Sequence, residues 1–267
     1  MTEERYRTRN VVFVDTETRS EPGLENPAWG DVTRTSTVRY AESSHVILLP
    51  YAIGDGPVQL WETANIERPP RWADAPADLQ EARDEVTSGN MTFAAWHSGF
   101  DRNVMNRGIT HGCPRGELVP VNGMIDVMAQ AVASNLAMAL DAAAKQVGHE
   151  GKLADGKALI KTFCPADGAL PHERPEDWER FCEYARLDIE AMRSVFRASP
   201  GLPDWQWRQF FASEAINDRG MPVDLTTARG ASRMADTYLK RVNKRVQEIT
   251  GGELFSVKQH VALAAWV

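Results

Sequence analysis

Apolar residues in the first half of the chain fall into short runs, each about as long as a buried β-strand. The runs cover residues 11–14, 46–53, 58–61 and 91–96, and polar or Gly-rich segments separate them. Runs of this length, bounded by loop residues, predict strands. The Gly-Asp-Gly sequence of residues 54–56 lies between the second and third runs and predicts a β-hairpin.

In the second half, the apolar period changes to that of helices. The clearest case is residues 175–197, where apolar side chains recur every three or four positions and form a core stripe. The stripe consists of Trp178, Phe181, Cys182, Ala185, Ile189, Met192 and Phe196. Tyr184 and Asp188, four residues apart, flank the stripe and are predicted to lie at the rim of the core. Weaker helical patterns cover three further segments: residues 78–86, 123–147 and 152–163.

Loop-forming residues mark the remaining boundaries. Residues 18–44 are rich in Gly, Pro, Ser and Thr and predict a loop excursion. After a Ser-Pro-Gly break near residue 200, a Trp-rich helix over residues 204–218 precedes a long amphipathic helix that ends near Gly251. We therefore predict an α/β fold, with a mixed sheet flanked by helices over residues 1–200 and a helical extension over residues 201–267.

Composition is that of an ordinary globular protein. Of the 267 residues, 43% are apolar and 25% are charged. No stretch approaches the roughly 20 apolar residues of a transmembrane helix, and no signal-peptide core follows the charged start, so a cytoplasmic location is expected. Cys113, Cys164 and Cys182 are widely spaced without a Cys-x-x-Cys pattern, which predicts plain thiols.

The net charge of −7 argues against a general nucleic-acid binder, because basic surface drives non-specific phosphate binding. The charge is uneven, however. Residues 205–267 carry nine Lys or Arg and six Asp or Glu, or +3, which leaves 21 basic and 31 acidic residues, or −10, in residues 1–204. Such a distribution is compatible with a metal-loaded catalytic domain joined to a segment that contacts phosphates.

Carboxylates follow two of the predicted strands. Asp15 and Glu17 come directly after the first strand, and the period-2 geometry of a strand directs both side chains to one face. Two neighbouring acids beside an apolar core are costly to ionise unless a divalent cation neutralises them. Asp101 follows the fourth strand, where it is either a helix N-cap or a third acid at the strand's carboxyl edge. We expect Asp126 to be structural.

Three short motifs contain these acids and one tyrosine. They are Asp15-Thr16-Glu17, then His97-Ser98-Gly99-Phe100-Asp101, then Tyr184-Ala185-Arg186-Leu187-Asp188. In this order they resemble the Asp-x-Glu, Asn-x-x-Phe-Asp and Tyr-x-x-x-Asp motifs of the DEDD superfamily of 3′-5′ exonucleases. The resemblance implies an RNase H-like mixed sheet flanked by helices.

The third motif also indicates a subtype. In the His subtype a histidine stands five residues before the last Asp, but here that position is Glu183. Tyr184 stands four residues before Asp188, so the resemblance is to the Tyr subtype. The second motif departs from the superfamily pattern at His97, where most relatives have Asn. A histidine there either donates to a phosphate or a water, or is a packed structural residue.

The resemblance implies two-metal hydrolysis of phosphodiester bonds at DNA 3′ ends, with release of nucleoside monophosphates. It makes Asp15 a ligand of both divalent cations, Mg²⁺ or Mn²⁺. Glu17 and Asp188 would complete one cation site, and Asp101 would hold the second cation. Tyr184 would orient the attacking water. Substrate contacts are implied for four residues: Thr16, Thr18, His97 and Phe100.

The tail extends the resemblance. Residues 214–224, the long helix after them and residues 255–259 resemble the passage from proofreading domain into thumb in phage-type family A DNA polymerases, and residues 155–160 resemble the same group. This implies proofreading of primer-template DNA, a fused or separate polymerase partner, and a bacterial or phage-infected cytoplasm. The basic helix of residues 229–245 is expected to contact the duplex. Without palm and fingers, the chain is expected to be a fragment, a truncated form or a free-standing exonuclease.

Three alternatives stay open on the sequence. The first is an enzyme of the same superfamily that trims RNA, although such relatives are not expected to carry a thumb-like passage. The second is a catalytically silent domain that holds single-stranded primer or braces a polymerase, although silent relatives usually lose one of the four acids. The third is an unrelated α/β domain whose acids are helix caps and solvated turns.

Overall fold

The structure is a computed structural model, and it describes residues 10–19, 37–65, 70–109, 119–149 and 156–267. The chain divides into two compact units, Met1–Asp218 and Arg219–Val267. The strands are β1 (Val11–Val14), β2 (Glu17–Arg19), β3 (His45–Ile53), β4 (Gln59–Glu62), β5 (Thr92–Ala95) and β6 (Met124–Asp126). The helices from α1 to α5 are α1 (Thr37–Ser43), α2 (Ala77–Ser88), α3 (Ser98–Gly108), α4 (Val127–Ala133) and α5 (Leu140–Gln146). Those from α6 to α10 are α6 (Gly156–Phe163), α7 (Pro175–Ala198), α8 (Asp204–Arg219), α9 (Leu225–Ile249) and α10 (His260–Trp266).

The strands form one mixed sheet of order β2-β3-β1-β5-β6, with β4 paired to β3. β1 is antiparallel to β3 and parallel to β5, which is in turn parallel to β6. Leu48 of β3 pairs with both β2 and β4, and Tyr51 of β3 pairs with both β1 and β4. β1 and β2 therefore follow one another along the same edge of β3. The chain passes from β1 to β2 through Asp15 and Thr16.

The alternation of side chains in β1 divides the core between the two faces of the sheet. Val12 and Val14 belong to the cluster that includes residues of α1, α2 and α3. Val11 and Phe13 belong to the cluster that includes residues of α4, α5, α7 and α8. A third cluster joins β3 to α6 and α7. Helices thus cover both faces, and α7 contacts β1, β3 and β4.

The predicted α/β class, a mixed sheet flanked by helices, is confirmed. The hairpin of β3 and β4 and the long helix α7 are also confirmed. The loop prediction for residues 18–44 is wrong where the structure describes them, since β2 continues to Arg19 and α1 begins at Thr37. Its remainder, residues 20–36, lies outside the described residues. The sequence patterns missed β6, because three residues are too few to establish a period.

Two further predictions concern thiols and membranes. Cys164 and Cys182 are free and buried, as predicted for plain thiols, whereas Cys113 lies outside the described residues. Within the described ranges, every helix is too short or too polar to cross a membrane.

The second unit begins at Arg219, the last residue of α8. Asp224 caps α9, because its Oδ1 accepts hydrogen bonds from the backbone N–H groups of Thr226 at 2.9 Å and Thr227 at 3.2 Å. α9 is described throughout and contains no buried residue. By compactness α8 belongs almost entirely to the first unit. The functional boundary predicted at residue 200 stays a prediction.

Candidate active site

The candidate site starts at the connection between β1 and β2, which is formed by Asp15 and Thr16. β5 pairs with β1 only as far as Phe13, so Asp15, Thr16 and Glu17 lie beyond the paired part of the neighbouring strand. The Asp15 N–H donates to the carbonyl oxygen of Pro50 at 3.2 Å, which holds this connection against β3. The first motif is therefore fixed at the carboxyl end of β1, where ligands collect in α/β sheets.

Asp101 lies in the first turn of α3, which follows β5. The N-cap of α3 is His97, so the alternative that made Asp101 an N-cap is wrong. The Thr16 Oγ1 donates to the Asp101 Oδ1 at 2.7 Å. Burial raises the pKa of Asp101 well above its usual value, and the Asp15 carboxylate raises it further, while the Thr16 hydrogen bond opposes both. Asp101 is thus a buried acid held beside the first motif.

Tyr184 and Asp188 lie one turn apart on α7. They were predicted at the rim of the core, but both are buried, with only 8% and 4% of their surface exposed. Burial raises the pKa of Tyr184, and the carboxylates of Asp188, Glu17 and Asp15 raise it further, in that order. A hydrogen bond of the Tyr184 hydroxyl to Asp188 also contributes. Tyr184 therefore interacts with acids of the first and third motifs.

Aromatic packing holds the Tyr184 ring. The rings of Phe181 and Tyr184 are parallel within 4°, with centroids 6.2 Å apart. Phe181 stacks in turn on Phe163, the last residue of α6, with centroids 5.4 Å apart. Trp178 packs edge-on against Phe163 at 5.1 Å. The tyrosine at the candidate site is thus the end of an aromatic group formed by α6 and α7.

Cys164 is a neighbour of the site that sequence reasoning missed. Its Sγ donates to the Glu17 Oε2 at 3.8 Å, and burial together with the Glu17 carboxylate raises the pKa of this thiol well above its usual value. Arg19 lies next to Cys164, because its Nε donates to the carbonyl oxygen of the preceding residue, Phe163, at 3.0 Å. No sequence spacing links Glu17 to Cys164, which follows it by 147 residues.

The three motifs contain four acids in all, namely Asp15, Glu17, Asp101 and Asp188. Carboxylate oxygens are the ligands that Mg²⁺ and Mn²⁺ prefer, so the donor chemistry fits such cations. Within the described ranges, no group of three or more His, Cys, Asp or Glu side chains is placed to hold a metal ion. Like charges in a buried site repel, which favours the protonated form of the acids. A cation bound between them favours the ionised carboxylates instead.

The four predicted substrate contacts have different surroundings. Thr16 and Thr18 are buried, and the Thr18 hydroxyl shares a hydrogen bond of 2.7 Å with the Tyr40 hydroxyl. Phe100 is half-buried, and its ring lies 5.9 Å from that of Tyr40. His97 is exposed. The predicted contacts of these four residues with substrate stay predictions.

A cleft of about 430 Å³ adjoins His97. Residues of α3, α4 and α8 line it, among them Asn103, Phe210, Glu214 and Asn217. The cleft lies at the carboxyl ends of β5 and β6, the edge of the sheet that also carries Asp101. The exposed His97 therefore lines the cleft, at the edge of the sheet near the buried Asp101.

Asp126, another residue of the cleft, is structural, as predicted. Its Oδ2 accepts hydrogen bonds from the Ser98 N–H at 2.8 Å and the Ser98 Oγ at 3.1 Å. Its Oδ1 accepts from the Ala129 N–H at 2.7 Å, which caps α4. One carboxylate thereby holds the first turns of α3 and α4.

Arg102 joins α3 to α8 beside the cleft. Its Nη1 and Nη2 donate to the two carboxylate oxygens of Asp218 at 2.7 and 2.8 Å, and Nη2 also donates to the Glu214 Oε2 at 3.4 Å. A two-pronged pair of this kind fixes both distance and orientation. α8 is therefore fastened to the helix that carries Asp101.

Comparisons with known proteins give no family: a scan against protein-family models finds no match to this chain, and a search of curated proteins finds none.

Proposed function

We propose that this protein is a metal-dependent 3′-5′ exonuclease of the DEDD type, Tyr subtype, with an RNase H-like fold. Its substrate would be the 3′ end of DNA, and its product nucleoside monophosphates. One observation carries the proposal. Tyr184 interacts with Asp188, Glu17 and Asp15, and Thr16 joins the connection between β1 and β2 to Asp101. Three acids of the first and third motifs therefore adjoin one tyrosine, and the fourth acid, Asp101, is hydrogen-bonded to the segment that carries two of them, as the resemblance implies.

The four carboxylates would hold two divalent cations. When bound, Mg²⁺ or Mn²⁺ ions would lower the pKa of the attacking water and neutralise negative charge on the leaving 3′ oxygen. The Asp15 carboxylate raises the pKa of both Asp101 and Tyr184, so it interacts with one residue of the second motif and one of the third, which suits the shared ligand. Glu17 and Asp188 would then be further ligands of one cation, and Asp101 would be a ligand of the other.

Tyr184 would orient the attacking water. Its raised pKa keeps the hydroxyl protonated at neutral pH, which makes it a hydrogen-bond donor and a poor general base. The aromatic packing of the ring fixes the direction of the hydroxyl. Positioning of a nucleophile by a fixed group is worth orders of magnitude in rate.

The second unit would contact duplex DNA as the start of a polymerase thumb, next to a fused or separate polymerase. α9 supports this part, since its basic residues Arg233, Lys240, Arg241, Lys244 and Arg245 are exposed. Basic side chains along a helix are the usual contacts to phosphates. They offset the acidic character of residues 1–204.

The test is a gel assay on a DNA with a 3′ overhang and on the matching RNA, each with Mg²⁺, with Mn²⁺ and with chelator. The wild-type protein should shorten DNA from its 3′ end only when a cation is present. Asp15→Ala should abolish this activity. Asp141→Ala is the matched control, because Asp141 forms a partly exposed pair with Lys145 on α5.

Other results would replace the proposal. Shortening of RNA alone would favour the RNA-trimming alternative. DNA binding without cleavage in any cation would favour the silent domain. Cleavage that persists in Asp15→Ala would identify a contaminating nuclease.

A further inference from the structure

Gly156, the first residue of α6, lies directly against the Tyr184 ring. A Cβ atom built on Gly156 would be 2.3 Å from Cε2 and 2.5 Å from Cδ2 of that ring, whereas ordinary contacts begin at 3.4 Å. The backbone of Gly156 does not have the positive φ that only glycine adopts easily. The ring itself, not the local conformation, therefore requires glycine at this position.

The two ends of α6 act on the same aromatic group. Gly156 meets the edge of the Tyr184 ring, and Phe163 at the other end stacks on Phe181, which lies parallel to Tyr184. A side chain at residue 156 would push the ring by about 1 Å to restore ordinary contact. Phe181 restricts movement of the ring on one side, so the displacement would change the position of the Tyr184 hydroxyl relative to Asp188.

We propose that Gly156 is a positioning residue for the reaction, and that its missing side chain sets the place of the Tyr184 hydroxyl at the scissile phosphate. The inference rests on the proposed exonuclease activity. Gly156 itself touches no substrate and acts only through the ring. A 1 Å misplacement of a reacting group can cost about 100-fold in rate.

The experiment combines Gly156→Ala with two changes of Tyr184 in the full chain. Tyr184→Phe keeps the ring and removes the hydroxyl, whereas Tyr184→Ala removes the ring and makes room for a Cβ atom. Gly201→Ala is the control, because a Cβ there meets nothing within 4 Å and its φ is also ordinary. The measurements are kcat and KM on a 3′-overhang DNA, and urea unfolding of each variant.

Gly156→Ala should lower kcat by about 100-fold with KM changed less than about threefold. It should lower kcat no further in the Tyr184→Phe protein, which has already lost the hydroxyl. In the Tyr184→Ala protein it should leave the urea midpoint unchanged, although it lowers the midpoint of the wild type. Gly201→Ala should behave like the wild type throughout.

The proposal is overturned if Gly156→Ala leaves kcat unchanged, or lowers it equally in the wild-type and Tyr184→Phe proteins, because the residue would then be merely structural. If Gly156→Ala does not fold, recovery of folding by Tyr184→Ala supports the contact, and failure to recover refutes it. A wild-type protein without nuclease activity refutes the proposed function instead. The urea series would still test the contact between the two residues.

Discussion

The hydroxyl of Thr16 donates to the carboxylate of Asp101 at 2.7 Å, and both residues are buried. The bond joins the middle residue of the first motif to the last residue of the second, 85 positions later. Thr16, the non-acidic residue of Asp15-Thr16-Glu17, therefore has a structural role at the site. The threonine orients the Asp101 carboxylate, and its two neighbours in the chain are themselves acids.

Removal of this hydroxyl should weaken the site and the fold together. Thr16→Val leaves the Asp101 carboxylate without the donor that favours its ionised form, so stability at neutral pH should fall by about 1–3 kcal/mol. The rising limb of the pH–rate profile should move to higher pH, because the pKa of Asp101 rises further. Urea unfolding and a pH series of kcat measure the two effects.

Thr16→Ser is the matched control, since it keeps the hydroxyl. It should retain the wild-type pH profile. A valine variant with an unshifted profile would mean that the hydroxyl does not act on Asp101 in solution.

Divalent cations should stabilise the protein more at about pH 8 than at about pH 5. The pKa of Asp101 is raised in the folded protein, so its contribution to stability is complete at low pH and is lost as the pH rises through that pKa. A bound cation removes this loss by favouring the ionised carboxylates. Thermal unfolding with Mn²⁺ or with chelator at both pH values measures the difference.

The size of the cation effect follows from mass action. A concentration of about 100 times Kd should add about 2.7 kcal/mol at the higher pH. Asp101→Asn should flatten the pH dependence of the metal-free protein. Equal melting temperatures with Mn²⁺ and with chelator at both pH values would refute the cation site.

His97 should affect substrate binding more than turnover. It is exposed and lines the cleft, so His97→Ala should raise KM for a 3′-overhang DNA by about tenfold, the value of one hydrogen bond to a charged group, with kcat changed less than about threefold. His97→Asn, which introduces the residue of the superfamily motif that the second motif resembles, should keep KM close to wild type.

The control for His97 is His172→Ala, because His172 is also exposed but lies just before α7, far from β5 in sequence. It should leave both constants unchanged. A loss of stability in His97→Ala with unchanged KM would favour the structural alternative for His97.

Arg102 should contribute to stability through α8. Arg102→Met leaves Asp218 and Glu214 without their shared partner, and stability should fall by about 2 kcal/mol. The loss is smaller than for a fully buried pair because the Asp218 side chain is 29% exposed. Urea unfolding of the full chain gives the value.

Arg197→Met serves as the comparison for Arg102. Arg197 pairs with Asp55 at the surface, where both side chains are largely exposed, so the change should cost less than about 1 kcal/mol. Equal effects of the two variants would show that the pair of Arg102 with Asp218 adds nothing beyond a surface contact.

The sequence located the candidate acids because each follows or lies within an element with a strong pattern. The apolar run of β1 identifies Asp15 and Glu17 as the acids that follow a buried strand. The seven-residue stripe of α7 shows on which side of the helix Tyr184 and Asp188 lie relative to its core face. The same stripe predicted a rim position for the last two, which is wrong. The period of one helix cannot reveal that α6 packs against its flank.

Other contacts of the site could not be predicted, because tertiary packing alone brings them together. The thiol of Cys164 meets Glu17 across 147 positions, and Gly156 meets Tyr184 without any pattern that involves glycine. Asp101 is intermediate. Its place after a strand is visible in the sequence, but the choice between cap and buried acid depends on where α3 begins.

The carboxylate of Asp126 accepts hydrogen bonds from Ser98 at the start of α3 and from Ala129 at the start of α4. The first turns of α3 and α4, which follow the adjacent strands β5 and β6, are therefore held by the same carboxylate. A force that tilts α4 is transmitted to α3, and with it to Asp101 three residues further on. A residue that lines the cleft, Asp126, is thus linked through Ser98 to the helix that carries Asp101.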